Sequence, residues 1–73
     1  MAIDFNNLLT HEQKRDLLTQ RIQQFASEAY QYELNRQIAV SVDDEQAVTQ
    51  SEQALSALEV AITVHQVELD GLS

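Results

Sequence analysis

A heptad repeat of apolar residues runs through the second half of the chain and restricts what it can fold into. Counted in sevens, its first and fourth positions are Val48, Ser51, Leu55, Leu58, Ile62, His65, Leu69 and Leu72. This 4-3-4-3 spacing keeps one side of a long helix apolar, so that it can form a seam with another helix. The first half carries a stripe of the same spacing, made of Leu18, Ile22, Phe25, Ala29 and Tyr32. The sequence therefore predicts an all-α fold, an antiparallel, coiled-coil-like hairpin of two helices.

The composition supports helices and leaves the fold short of stabilising devices. The chain has 73 residues with no Pro, no Cys and one Gly, so it lacks the turn residues of a sheet protein and the thiols of a disulfide or zinc site. A single core of this size is marginal unless something else stabilises it. Oligomerisation is the route that remains, and the sequence predicts a homodimer.

The chain is expected to form a single domain, residues 1–73, with an apolar arm at 1–9, a first helix at 10–40 and a second helix at 43–70. Thr10 followed by Gln13 fits a capping box that starts the first helix. The break between the helices holds neither Gly nor Pro, and Ser41 or Asp43 is the expected cap of the second helix, which Gly71 closes. A bent, nearly continuous helix is the main alternative. A hairpin swapped between two chains is also open.

Each helix carries a second apolar stripe away from the seam. On the second helix it consists of Ala57, Val60, Val64 and Val67; on the first it consists of Tyr30, Leu34 and Ile38. A helix that is apolar on two sides needs a further partner. We expect two hairpins to pair into a four-helix bundle, with Tyr32 in the core and Tyr30, Leu34 and Ile38 at a protein interface. The predicted self-association residues are Leu18, Ile22, Phe25, Leu55, Leu58, Ile62, Val60, Val64 and Val67.

The charge is −8, and every Lys and Arg lies in the first half of the chain, before residue 37. Glu45, Glu52 and Glu59 form an acidic row at heptad spacing on one flank of the second helix. One hypothesis is that this row contacts the basic surface of a protein partner; the alternative is an ordinary solvated helix face. The excess negative charge disfavours direct contact with nucleic acid or an anionic membrane.

The sequence offers little catalytic chemistry. His65, with Glu68 one turn on, could contribute to a metal site or a pH-sensitive contact, but a partly buried histidine hydrogen-bonded across the seam is the preferred interpretation. Ser51 has no glycine-rich elbow to make it a nucleophile and is read as a small seam residue that sets register. We therefore expect no enzyme activity, no catalytic residues, no cofactor and no metal.

The start of the chain combines apolar residues with a charged first helical turn, in the order Ile3, Asp4, Phe5, Leu8, Leu9, Thr10, Glu12, Gln13, Lys14 and Arg15. In these residues it resembles the starts of small phage and prophage proteins. The resemblance implies a phage-encoded accessory protein that occupies a host protein's surface. With no signal-peptide pattern or membrane span in the sequence, we expect a cytoplasmic protein, in the bacterial host if phage-encoded. The alternatives are a structural assembly factor and an acidic mimic of nucleic acid.

Overall fold

The structure is a computed structural model that describes residues 7–72. It contains two helices that pack against each other, α1 (His11–Ser41) and α2 (Glu45–Asp70), and no strand within 7–72. Arg21, near the start of α1, contacts His65, near the end of α2. The predicted all-α hairpin is thus confirmed, and the alternative of a bent continuous helix is wrong. Most of the predicted arm, including Ile3 and Phe5, lies outside the described residues.

The start of α1 is fixed by the predicted capping box. The Thr10 hydroxyl accepts a hydrogen bond from the backbone N–H of Gln13 at 3.1 Å, and the Gln13 side chain accepts one from the Thr10 N–H at 2.9 Å. Two backbone donors that a helix start leaves without partners are satisfied in this way. The capping box is confirmed.

The turn between the helices is a Schellman motif with an aspartate where glycine is usual. The N–H of Asp43 donates to the carbonyl of Val40 at 3.2 Å, and the N–H of Asp44 donates to the carbonyl of Ala39 at 2.9 Å. Asp43 has φ 57°, the left-handed conformation that Gly adopts most readily and that Asp and Asn tolerate. This explains how a chain without a glycine at this point still reverses direction.

The cap of α2 is Asp44, whose side chain accepts from the N–H of Ala47 at 3.1 Å. The predicted caps Ser41 and Asp43 are therefore wrong. Ser41 still belongs to α1 and donates its hydroxyl to the carbonyl of Gln37. Asp43 is committed to the left-handed position of the turn, which places the next residue, rather than itself, at the helix start.

The seam between the helices is only partly closed. Within residues 7–72 the two buried residues are small, Ala39 at 3% exposure and Ser51 at 7%, and no large side chain is fully buried. The larger seam residues are half-buried: Leu18, Ile22, Phe25, Leu55, Leu58 and Ile62. The prediction that Tyr32 lies in the core is wrong, since it is 40% exposed. In a two-helix hairpin, each seam stripe is covered only by the other helix. The part of the α1 stripe that contains Tyr32 therefore remains exposed.

The hairpin is long and thin. Its principal extents are 52 × 26 × 14 Å, and its radius of gyration is 16.6 Å. A compact chain of this length has a radius of gyration of about 11 Å. The smallest extent is close to the ~10–12 Å diameter of one helix. Residues 7–72 therefore form a single layer of two helices, and no other described segment covers the outer face of either helix.

Candidate functional site

A shallow, open apolar groove lies on α1 near the turn. It has a volume of about 430 Å³ and is lined by Leu34, Gln37, Ile38, Ser41 and Val42. The structure thus brings together two of the three predicted contact residues of α1. We call these five residues the tip groove.

The third predicted contact residue, Tyr30, is exposed but does not line the tip groove. Val42 was missed as a surface residue, because a β-branched residue in a polar segment reads as a break in the helix. Its exposure follows from the Schellman turn, which holds Val42 at the end of α1 beside Ile38.

The second stripe of α2 is uncovered along its whole length. Val60, Val64 and Val67 are each more than half exposed, and Ala57 is exposed as well. Scattered apolar residues are common on protein surfaces, but a continuous stripe on one helix face is typical of a contact surface. The structure places this stripe away from the seam residues Leu55, Leu58 and Ile62, as the heptad spacing requires.

The acidic row is exposed, but its members have different surroundings. The pKa of Arg36 is raised by its hydrogen bond and charge interaction with Glu33 first, and Glu52 on α2 adds the smallest contribution. Glu59 borders a shallow hollow of about 360 Å³ that also includes Ala29 and Ile62. Glu45 borders another, of about 410 Å³, at the turn. The row is therefore not a uniform ladder of free carboxylates.

Arg36 forms a bidentate ion pair with Glu33 within α1. Its Nε lies 3.0 Å from Glu33 Oε2, and its Nη2 lies 2.7 Å from Glu33 Oε1, which Gln37 also contacts at 3.2 Å. These hydrogen bonds to the carboxylate, from Arg36 first and then Gln37, lower the pKa of Glu33 to about 2. The same pair raises the pKa of Arg36. Paired arginine and carboxylate groups of this geometry favour both charged forms.

His65 lies at the seam in the environment that the sequence predicted. Arg21 Nε donates to His65 Nε2 at 3.0 Å, and His65 Nδ1 lies 2.6 Å from the carbonyl oxygen of Ala61. The Phe25 ring meets the imidazole edge-on at a centroid distance of 5.0 Å. Both imidazole nitrogens are engaged by protein groups. A partly buried histidine bonded across the seam is confirmed.

The described residues form neither a metal-binding cluster nor a membrane-spanning helix. Among residues 7–72 no three His, Asp or Glu side chains are grouped closely enough to hold a metal ion. Over the same residues, neither helix combines the length and the apolar character needed to cross a bilayer.

Comparison with protein families, curated proteins and solved structures gave no match to this chain. No functional residue is carried over from a relative, so the candidate sites depend on the geometry of this chain. They are the tip groove on α1, the valine stripe on α2 and the acidic row.

Proposed function

We propose that this chain is a non-enzymatic protein-binding module that contacts a protein partner through the tip groove. The observation that carries the proposal is the groove itself, which presents Leu34, Ile38 and Val42 to solvent at the end of a thin hairpin. Exposed apolar residues grouped in one patch gain most when a partner covers them and excludes water. Tyr30, exposed on the same helix, extends this surface.

The resemblance of the first residues to small phage proteins supports a specific form of this proposal. In that form the chain is a phage-encoded inhibitor that occupies a host protein's surface in the bacterial cytoplasm. The acidic row favours a partner with basic residues around an apolar contact, because complementary charge at the rim of an interface speeds association and improves selectivity. Glu45 is the member of the row best placed for this role, since it is the first residue of α2 and lies at the turn, the end of the hairpin that carries the tip groove.

The proposal is tested with the chain immobilised as bait in bacterial lysate, followed by purification of any captured protein and titration calorimetry. We expect Leu34→Glu to weaken binding at least tenfold, because it places a charge in an apolar contact. Gln23→Glu is the matched control, since it adds the same charge at an exposed position of α1 outside the groove. Unchanged binding by Leu34→Glu, with helix content retained, would remove the tip groove as the contact.

A second candidate function is a structural assembly factor that binds copies of itself. The exposed valine stripe on α2 supports it, since no segment within residues 7–72 covers that stripe. We propose that the two helices run antiparallel and that two hairpins pair into a four-helix bundle. The hydrogen bond between Arg21, near the start of α1, and His65, near the end of α2, supports the antiparallel arrangement.

Mimicry of nucleic acid is the third candidate and has the least support. A mimic needs a dense and uncompensated row of negative charge to compete for a nucleic-acid site. Replacing Glu45, Glu52 and Glu59 with Gln tests it. Loss of binding to a basic partner, with the helices intact, is the result that would favour mimicry over an apolar contact.

A further inference from the structure

We propose that a second copy of this chain docks on the outer face of α2, with the two α2 helices antiparallel about a two-fold axis. The outer face of α2 is defined here as Ser56, Ala57, Val60, Thr63, Val64 and Val67, all of which are exposed. This inference depends on the self-association proposed above and not on the binding of a foreign protein. It specifies the surface and the register of that association.

One chain leaves more surface exposed than a compact monomer of the same mass. The accessible surface of the chain is 5834 Å². A compact monomer of 8.3 kDa exposes about 4,600 Å². The excess is comparable to the ~800 Å² or more that each partner buries in a stable interface. The elongated hairpin thus exposes extra surface of the size that one partner of a dimer buries.

The negative charge of the chain limits which face a second copy can contact. Two copies bring −8 each to the complex, so faces that carry carboxylates repel their own copy. α2 has no Lys or Arg, and its acidic row occupies one flank. None of the six residues of the outer face is charged, and carboxylates border the face on either side, at Glu59 and Glu68. A copy of the same acidic chain can therefore meet the centre of this face with uncharged side chains.

The apolar stripe within the outer face has a symmetric spacing. Ala57, Val60, Val64 and Val67 follow one another at steps of three, four and three residues. This order is the same in both directions, so two antiparallel copies match when Val60 of one chain faces Val64 of the other. Ala57 then faces Val67. A two-fold interface requires this kind of self-complementary surface.

The proposal is tested by sedimentation of the full chain and its variants. We expect a dimer for the wild type and a monomer, with half the mass, for Val64→Glu. Gln66→Glu is the matched control, because it adds the same charge to an exposed position on another flank of α2, and it should remain a dimer. A wild-type monomer, or a dimer that survives Val64→Glu, would overturn the proposal. If Val64→Glu stays dimeric but no longer binds a foreign protein, the outer face of α2 contacts that protein and not a second copy, and the proposal is overturned.

Cysteine pairs test the register and stay informative if Val64→Glu fails to fold. The chain has no cysteine, so each introduced thiol is unique. A mixture of Val60→Cys and Val64→Cys chains should form a disulfide-linked pair much faster than a mixture of Ala57→Cys and Val60→Cys chains, since only the first mixture places the two thiols opposite each other. Equal rates in the two mixtures would reject the two-fold register.

Salt separates this dimer from binding of a basic protein. The Debye length falls from about 10 Å at 0.1 M salt to about 3 Å at 1 M, so added salt screens the repulsion between two acidic chains. We expect the dimer to tighten several-fold over this range. Binding of a basic protein through the acidic row should weaken instead. A dimer that weakens with salt would contradict the charge argument.

Discussion

Arg21 on α1 and His65 on α2 are joined by a hydrogen bond of 3.0 Å between Nε and Nε2, 44 residues apart in the sequence. Because a guanidinium only donates, His65 Nε2 must accept, and the imidazole proton then resides on Nδ1, which donates to the Ala61 carbonyl. The guanidinium carbon also lies 5.4 Å from the centre of the Phe25 ring. This group fixes the pairing of the two helices far from the turn.

Truncating His65 should cost more stability than removing its partner. We expect His65→Ala to lower the free energy of unfolding by about 1–2 kcal/mol, because a half-buried ring and its hydrogen bonds are lost. Arg21→Met should cost only about 0.5 kcal/mol, since water replaces an exposed donor. Urea denaturation followed by circular dichroism measures both. Equal losses would mean that the Arg21 bond, and not ring packing, dominates at this site.

Acid should weaken the fold through Glu33. Its pKa is lowered to about 2 in the folded chain from an ordinary value of 4.5, so ionised Glu33 stabilises the folded state above pH 4.5. This contribution is lost as the pH falls from 4.5 toward 2. Thermal melts at several pH values should show a smaller acid loss in Glu33→Gln than in the wild type. Parallel losses would show that the pair with Arg36 persists in the unfolded chain or contributes nothing.

Asp43 is the position where a glycine should improve the chain. Its φ of 57° strains a residue with a side chain, so Asp43→Gly should raise the free energy of unfolding by about 0.5–1 kcal/mol. Asp43→Asn separates the effect of charge from that of conformation, because Asn tolerates this φ. Asp43→Val, with a β-branched side chain, should be less stable than the wild type. The conformational explanation fails if Val and Gly give the same melting temperature.

Gly71 should be replaceable, although glycines commonly close helices. Its φ of −69° is right-handed, and a Cβ placed there would lie 3.4 Å from the Glu68 carbonyl oxygen, an ordinary contact. We expect Gly71→Ala to raise stability by about 0.4–1 kcal/mol through the lower entropy of the unfolded chain. A clear loss of stability would show that this end of α2 needs a left-handed residue in solution.

Ser51 should tolerate a small replacement and reject a large one. It is buried at a seam position where the helices are close, so Ser51→Leu should lower the free energy of unfolding by about 1–3 kcal/mol. Ser51→Ala keeps the volume and serves as the control. If the leucine variant is more stable than the wild type, the seam has unused space and the register is not set by Ser51.

The sequence predicted the elements that depend on local chemistry. The heptad spacing predicted the two helices. Thr10 and Gln13 predicted the start of α1, because a capping box depends only on residues close together in the sequence. The predicted caps of α2, Ser41 and Asp43, lie three residues and one residue before the actual cap, Asp44, because no sequence pattern distinguishes a left-handed Asp43 from a capping one. Tyr32 was assigned to the core because its spacing fits the stripe, but spacing does not report how much of a stripe one partner covers. The tip groove was not predicted in full, because Val42 lines it only as a result of the turn that follows α1.

The thin seam has a consequence for how long the protein survives. With no large side chain fully buried within residues 7–72, we expect the lone hairpin to open more often than a closely packed domain and to expose its backbone to proteases. Any molecule that covers the outer faces lowers the open population in proportion to its concentration. The cellular amount of this chain should therefore follow the supply of whatever covers it, and unaccompanied copies should be cleared first.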